Sequence, residues 1–513
     1  MQYIIAHDLG TSGDKATLFN ESGKLISSSN ASYNCYYPKP NWVEQDPDDW
    51  WNAVCLSTKD VLQKSKVKPA DVIAITFSGQ MMGCLPVNKN GVRLSNSIIW
   101  ADSRSTMEAD TIRSLINEDY FYQITGTSIA ANYSLEKMMW LKNNANDIYK
   151  KTACFLNAKD YIVLKLTGKF ATDYSDASST NLFDIKNKKW SDEIISAAQI
   201  DKSKLPEPHP STDVIGCIIP EVTEEIGLTC ATKVVIGGGD GPCATVGAGA
   251  VKRGDSYNYF GSSSWISVTS DQPLFDPKQR TFNFCHLDPS LYMCVGTMQS
   301  AGGSYEWLKE NFCTSEQQAA KITSLSSFRL MDCVAEKSSA GSHNILFLPY
   351  LLGERCPYWD PDAKGAFVGL TRSHNRADII RSVYEGPIFN LRIILDIFRE
   401  QGIKITDLCA IGGAVKSDLI ARIMADIFEV NILRTAMSEE ATSFGAAVCA
   451  GVGIGLFKDF KIVKDLIEIN SNVQPDERNV RVYRKLYPIF KNSYEALISI
   501  NKSLSALKNG GNS

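Results

Sequence analysis

The first twenty residues place a carboxylate, a small polar turn and two hydroxyls side by side. Ile4, Ile5 and Ala6 form an apolar run that ends at Asp8, the turn Gly10-Thr11-Ser12-Gly13 follows, and Ala16 to Phe19 resume an apolar run. This pattern predicts a β-hairpin with a small polar tip. Gly10 and Gly13 let the backbone aim N–H groups at an anion, and Thr11 and Ser12 add hydroxyl donors. Asp8, at a strand end, could hold a hydrated divalent cation. The same residues also describe an ordinary hairpin with a Gly/Ser turn. The turn is not a Walker loop: Gly23-Lys24 and Gly168-Lys169 run on into Leu25 and Phe170, and no Gly-x4-Gly-Lys-Ser/Thr occurs.

Four other segments carry polar residues at strand ends, where ligands of α/β proteins gather. Asp240 follows Gly237-Gly238-Gly239, glycines that permit close backbone approach by a ligand, and could act as a general base or cap the helix that follows. Trp100, Asp102 and Arg104 could bind a polyol by stacking and hydrogen bonds, or form the capped start of a helix with Arg104 in solvent. In Ser78-Gly79-Gln80-Met81-Met82-Gly83, Gln80 could meet a hydroxyl, while Met81 and Met82 read first as packing residues. Gly412-Gly413 ends the apolar run Leu408 to Ile411, either to lay a flat base on the backbone or to turn tightly into a helix near Ser417. The aromatic, proline-rich stretch from Leu348 to Pro361 reads as a long rigid loop, with Glu354 and Arg355 either functional or pairing with neighbours. The five histidines are far apart and no Gly-x-Ser-x-Gly elbow exists, which leaves no foothold for a His-based metal site or that type of hydrolase.

Positioning these residues takes alternating strands and helices, an α/β class. Residues 1–30 read as three strands joined by turns. Pro47 opens a helix over 47–66 with Trp50, Val54, Leu56, Val61 and Leu62 as its apolar positions. Val72 to Phe77, Ile98 to Trp100 and Lys233 to Ile236 read as strands, and 103–117, 135–143 and the region from 377 as helices. After a break near 250–256, the strand Ser256 to Phe260, the tip Gly261-Ser262-Ser263-Ser264 and the run Trp265 to Val268 echo residues 4–19. The echo predicts two similar halves, 1–252 and 253–500, each turning a phosphate-sized tip toward a shared cleft, with 501–513 as a tail whose end, Gly510 to Ser513, is disordered.

Bulk properties agree. At 513 residues the chain exceeds one typical core. A net charge of −4 with dispersed Lys and Arg supplies no field for nucleic acid. No apolar run reaches membrane-spanning length. The fourteen cysteines include no Cys-x-x-Cys, which argues against a zinc ribbon, and Cys84, Cys294 and Cys449 read as core residues. The chain starts directly in a strand, without a signal-peptide pattern, and a reducing cytoplasm is the expected home.

Taken together, Asp8-Leu9-Gly10-Thr11-Ser12, Trp42 to Pro47, Ser78-Gly79-Gln80-Met81, Gly238-Gly239-Asp240, Gly353-Glu354-Arg355 with Trp359-Asp360-Pro361, and the run from Gly365 to Glu385 resemble the FGGY family of carbohydrate kinases. The likeness is nearest to its xylulokinase-like branch and spans Tyr3 to about Leu456. It implies an actin-like fold of two ribonuclease-H-like domains, the first for sugar and the second for nucleotide, with ATP and Mg²⁺ in the cleft. It further implies Asp240 as catalytic base and Asp8 near the metal. Gly10, Thr11, Ser12 and Lys15, and Gly261, Ser262 and Ser263, become two phosphate loops, and Gly412 and Gly413 the adenosine border. Gln80, Met81, Met82, Trp100, Asp102, Arg104 and Tyr133 become the sugar pocket. The expected reaction is phosphorylation of D-xylulose, with gluconate or another polyol as the close alternative. Arg104 is the cation a carboxylate substrate would need. A non-kinase actin-like nucleotide binder is the reading from another class, and a homodimer is a family expectation. Departures from the branch are Met82 where His is usual, Gly241 where Asn or Gln is usual, Asn132 ahead of Tyr133, and Pro387 inside a helix, where a kink is expected.

Overall fold

The computed structural model describes residues 1–509; the expectation for Gly510 to Ser513 lies outside the described residues. Two mixed sheets form the frame. The first runs in the order β5-β6-β4-β1-β2-β3, with β1 Tyr3–Leu9, β2 Gly13–Asn20, β3 Leu25–Ser32, β4 Val72–Gly79, β5 Val214–Cys217 and β6 Lys233–Val235; the short β7, Gly238–Gly239, also pairs with β4. The second runs β10-β11-β9-β8-β12-β13-β14, with β8 Ser256–Phe260, β9 Ser264–Ser270, β10 Phe282–Cys285, β11 Tyr292–Met298, β12 Asp407–Ile411, β13 Asn431–Thr435 and β14 Ile469–Val473.

The predicted echo extends well beyond the hairpins. In the first sheet β1 pairs antiparallel with β2 and β2 with β3, while β1, β4 and β6 run parallel and β5 closes antiparallel. In the second, β8, β9 and β11 repeat the antiparallel meander, β8, β12 and β13 the parallel run, and β14 the antiparallel close. The difference lies at the edges: β10 is an added strand, and β14 follows β13 in sequence where β5 precedes β6.

Helix α1, Pro47–Ser65, begins where the sequence places it, because the Asp46 side chain accepts from the Asp48 N–H and Pro47 occupies the first turn. Its buried face is Trp50, Trp51, Val54, Ser57, Thr58 and Val61, whereas Leu56, expected inward, is exposed. The strand expected over Ile98 to Trp100 is only Ser97–Ile98, and the next helix starts at Thr106, because Asp102 holds the intervening turn. The helix Arg376–Glu400 continues through Pro387, buried on both flanks. Residues 501–509, set apart as a tail, continue the C-terminal helix Glu477–Asn509. Cys84, Cys294 and Cys449 are fully buried, as expected. Among the described residues, no helix is long and apolar enough to cross a membrane.

Two helices cross between the sheets, α3, Asp240–Gly247, and α7, Ala441–Gly453; helix Ser134–Asn144 (α2) precedes them, and Gly302–Phe312 (α4), Arg376–Glu400 (α5) and Asp418–Phe428 (α6) come between them in the chain. Cys243 and Val246 of α3 pack with Ile4, Ala6 and Ala74 of the first sheet, and Ala244 and Ala248 with Tyr257, Cys409 and Ile411 of the second. The helices touch backbone to backbone: a Cβ on Gly247 would lie 1.7 Å from the Ala441 carbonyl oxygen, and one on Gly445 1.9 Å from that of Cys243. Gly445→Ala therefore forces the helices apart and is expected to destabilise the protein by about 3 kcal/mol in urea denaturation. An unchanged unfolding midpoint would show that the crossing can adjust.

Candidate active site

The tip of the first hairpin is held by a buried glutamine. Gln45 donates Nε2 to the Thr11 carbonyl at 2.6 Å, and its Oε1 accepts from the Trp50 indole at 3.0 Å and from Gln80 Nε2 at 2.6 Å. One amide thus ties the tip to α1 and to the segment after β4. The Gly10 N–H closes the tip on the Gly13 carbonyl at 3.0 Å. Thr11 reaches the cleft, where the Trp100 indole donates to its Oγ1 at 3.0 Å, and Ser12 is exposed. Lys15 does not face the tip: its ammonium bonds the Glu440 carboxylate at 2.9 Å and the Glu439 carbonyl at 3.2 Å, across to the start of α7.

Asp240 opens α3. The glycines before it are needed for protein contacts rather than for a ligand: Gly237 has φ +70° with a would-be Cβ 1.9 Å from the Phe77 carbonyl oxygen, and one on Gly239 would lie 2.6 Å from the Met81 sulfur. The helix N-cap is Gly239, so the Asp240 carboxylate is free of that role; it accepts from the Gly241 N–H at 2.7 Å and faces the cleft. Asp240 is solvent-exposed at the cleft, yet the protein atoms crowded around it raise its pKa to about 6 through desolvation. Asp8, at the end of β1, is raised to about 7, first by desolvation and then by the charge of Asp240, against a hydrogen bond from Ser78 Oγ at 2.9 Å. Two neighbouring carboxylates without a dedicated cation mark a functional site, and a divalent cation would relieve them. Among the described residues, no group of three or more His, Cys, Asp or Glu is placed to hold a metal ion, so such a cation would take its other ligands from a bound molecule and water.

Two cavities meet here. One, about 430 Å³, is walled by Met81, Met82, Trp100 and Asn132 on one side and by Trp265, Phe282 and Phe284 on the other, with Asp240, Arg355, Thr11, Ser262 and Ser263 also facing it. The other, about 590 Å³, is lined by Gly261, Ser262, Tyr305, Phe328, Gly413 and Lys416 among others. Tyr259 and Ser262 belong to both, so the tip of the second hairpin is the partition between them. Gly413 lines the larger cavity, whereas Gly412 lies beneath it against Phe260.

Four residues expected in the pocket wall stand behind it. Gln80 is buried and gives its Nε2 to Gln45, its Oε1 being left without a partner among the described residues. The fully buried Asp102 carboxylate accepts from the Val43 N–H at 2.6 Å and holds Arg104 through both oxygens. Arg104 is buried rather than solvated: it also pairs with Glu44 at 2.8 Å and packs over Trp42 at 3.7 Å and Trp140 at 5.0 Å. Desolvated charges so fully paired have no capacity left for a substrate. Tyr133 is buried, its phenol pushed well above the ordinary range by desolvation.

What sequence reading missed is the opposite wall. Phe282 and Phe284, two apart on β10, share a face by strand period, a signal present in the sequence. Arg355 is delivered by its neighbour: Glu354 is buried, accepts from the Gln299 and Arg355 N–H groups and from Asn390, and is raised to about 8 by desolvation. Of the flagged pair, Glu354 holds the loop and Arg355 reaches the cavity.

The sequence matches two family models, the FGGY family of carbohydrate kinases N-terminal domain over residues 3–247 and the C-terminal domain over residues 256–454. It is 31% identical to a xylulose kinase of Bacillus subtilis (strain 168) over 99% of this chain and 100% of that one. It is 32% identical to a gluconokinase of Bacillus licheniformis over 99% of each. A crystal structure of ligand-bound xylulose kinase from Lactobacillus acidophilus superposes with a TM-score of 0.91 at 29% identity, covering 98% of this chain and 100% of that one. The two sheets and the helices crossing between them are thus the actin-like fold of these enzymes, and the chain belongs to the FGGY family of carbohydrate kinases, which use ATP to phosphorylate small-molecule sugars.

Proposed function

We propose that this sugar kinase transfers the terminal phosphoryl group of ATP to a hydroxyl of D-xylulose, giving D-xylulose 5-phosphate. The observation that carries this reading is the pair of cavities sharing the Tyr259–Ser262 partition, with Asp240 facing the smaller one. The nucleotide base and ribose occupy the larger cavity beside Gly413, and the phosphates pass over the Gly261–Ser263 tip. The sugar lies in the smaller cavity against Trp100, with Met81 and Met82 forming its floor. Asp240 orients the reacting hydroxyl and accepts its proton. Backbone and hydroxyl donors of Thr11, Ser262 and Ser263 face the transferred group, where charge spreads over its oxygens. The donor set at Asp8 fits Mg²⁺, which with phosphate oxygens would neutralise that charge. Lys15 acts as a tie between the halves. Free thiols at all fourteen cysteines suit a cytoplasmic enzyme.

Gluconate is the second reading, favoured by Arg355 in the cavity wall and by the gluconokinase relative. Arg355 replaces Arg104 as the cation able to meet a carboxylate.

A coupled ADP-release assay with D-xylulose and gluconate separates the two. Asp240→Asn should lower kcat by about a thousandfold with either sugar while ADP binding holds, and residual activity within tenfold of wild type would remove Asp240 as the base. Arg355→Met should raise the KM for gluconate about tenfold or more and leave that for D-xylulose nearly unchanged; equal effects on both would make Arg355 a general pocket residue.

The reaction needs Asp240 ionised. With Asp240 raised to about 6 and Asp8 to about 7, turnover is expected to climb from about pH 5 and level off near pH 8. An acidic limb with its midpoint near pH 4 would show that cleft water keeps both carboxylates at ordinary values.

A further inference from the structure

Lys137, on α2, is fully buried and, among the described residues, has no carboxylate within ion-pairing distance. Its ammonium donates instead to three backbone carbonyls: Met82 at 2.7 Å, Ile99 at 2.8 Å and Asn132 at 2.6 Å. These carbonyls come from three segments far apart in sequence. Each segment sends side chains into the wall of the smaller cavity: Met82 with its neighbour Met81, Trp100 from the peptide unit that Ile99 begins, and Asn132. We propose that Lys137 is a positioning residue that sets the sugar-facing wall, pinning the peptide units of Met82, Ile99 and Asn132 to a single point.

The chemistry requires an ammonium there. Three acceptors converging on one nitrogen match its three N–H donors, whereas a neutral amine would turn a lone pair on one carbonyl. Burial and Arg104 pull the pKa of Lys137 down, while Cys84, Asp102 and Glu136 favour its proton and the three carbonyl acceptors hold it on. Met82 adds a reason for the clamp. It has φ +62°, a left-handed backbone unusual for a side chain other than Gly, Asn or Asp, and its carbonyl is held there by this ammonium. The next carbonyl, Gly83, is held by Ser134 Oγ at 2.7 Å from the same helix start. The start of α2 therefore fixes the turn that carries the departure from the family's usual His.

Lys137→Met keeps the unbranched stem and removes the donors, leaving three buried carbonyls to find other partners. The expected result is a sugar KM raised about tenfold or more, with the KM for ATP and the ATPase rate without sugar within about twofold of wild type. An unchanged sugar KM, or sugar and ATP KM values that rise together, overturns the proposal. If Lys137→Met does not fold, Lys137→Arg, which keeps the charge but spreads its donors over a plane, takes the same test with the same outcomes. If neither folds, the lysine serves the fold and the proposal fails. The inference rests on this cavity being the sugar site; wild-type turnover indifferent to added sugar would remove that reading before any variant is compared.

Discussion

The contact on which the site depends is the crossing of α3 and α7, where two helix backbones meet without side chains between them. Gly247 lies against Ala441 and Gly445 against Cys243, at distances no Cβ could occupy. Packed interiors are nearly incompressible, so this is the point about which the halves must turn if they move at all. Asp240 is the first residue of one of these helices, and Glu440, partner of Lys15, directly precedes the other. The carboxylate, the first hairpin and the pivot are therefore mechanically one unit. Closing the cleft would move the second hairpin toward Asp240 while leaving the surroundings of Asp240 in the first half unchanged.

Around that pivot the charges fall into two kinds. Asp102, Arg104 and Glu44 satisfy one another inside a box of tryptophans and present nothing to the cleft. Asp8 is partly buried and Asp240 is exposed at the cleft; among the described residues neither has an ion-pair partner, the nearby Lys15 being held by Glu440, and both are raised. Burial and counter-charge change together here: the paired charges are sealed inside, and the carboxylates without an ion-pair partner reach the cleft. Lys137 belongs to a third kind, a charge neutralised by carbonyl dipoles, and all three of its hydrogen bonds go to backbone.

That distinction explains what the sequence could disclose. Both hairpins, the strand before Asp240 and the capped start of α1 are local patterns, carried by residues within one or two turns of one another, and they stand where the sequence places them. The repeat of the halves was legible for the same reason, since each hairpin carries its own signal. Gln80, Asp102 and Arg104 read as pocket residues because polar groups after a strand usually face a ligand, and only their partners Gln45, Val43, Glu44 and Trp42, some 35 to 60 residues away, reveal otherwise. Arg355, Trp265 and the β10 phenylalanines could not be assigned to the same cavity as Trp100, because the second sheet brings them there from the other half.

The repeat also accounts for why one reaction centre forms and not two. The two sheets share their order and strand directions, so each half offers a glycine-and-hydroxyl tip to the cleft. Only the first hairpin adds acid and base, Asp8 and Lys15; the second, from Phe260 to Ser264, is neutral. A neutral tip of backbone N–H and serine groups suits the polyanionic chain of a nucleotide, which brings its own charge and its own cation. A tip flanked by carboxylates repels that chain unless a metal intervenes, which supports the proposal that the sugar, rather than the nucleotide, takes the first half. The second half meets the carboxylates only at the partition, where Ser262 looks into both cavities. An architecture built twice thus becomes asymmetric through a few side chains, and under the proposed reading those few set the phosphoryl group moving from the neutral tip toward the acidic one.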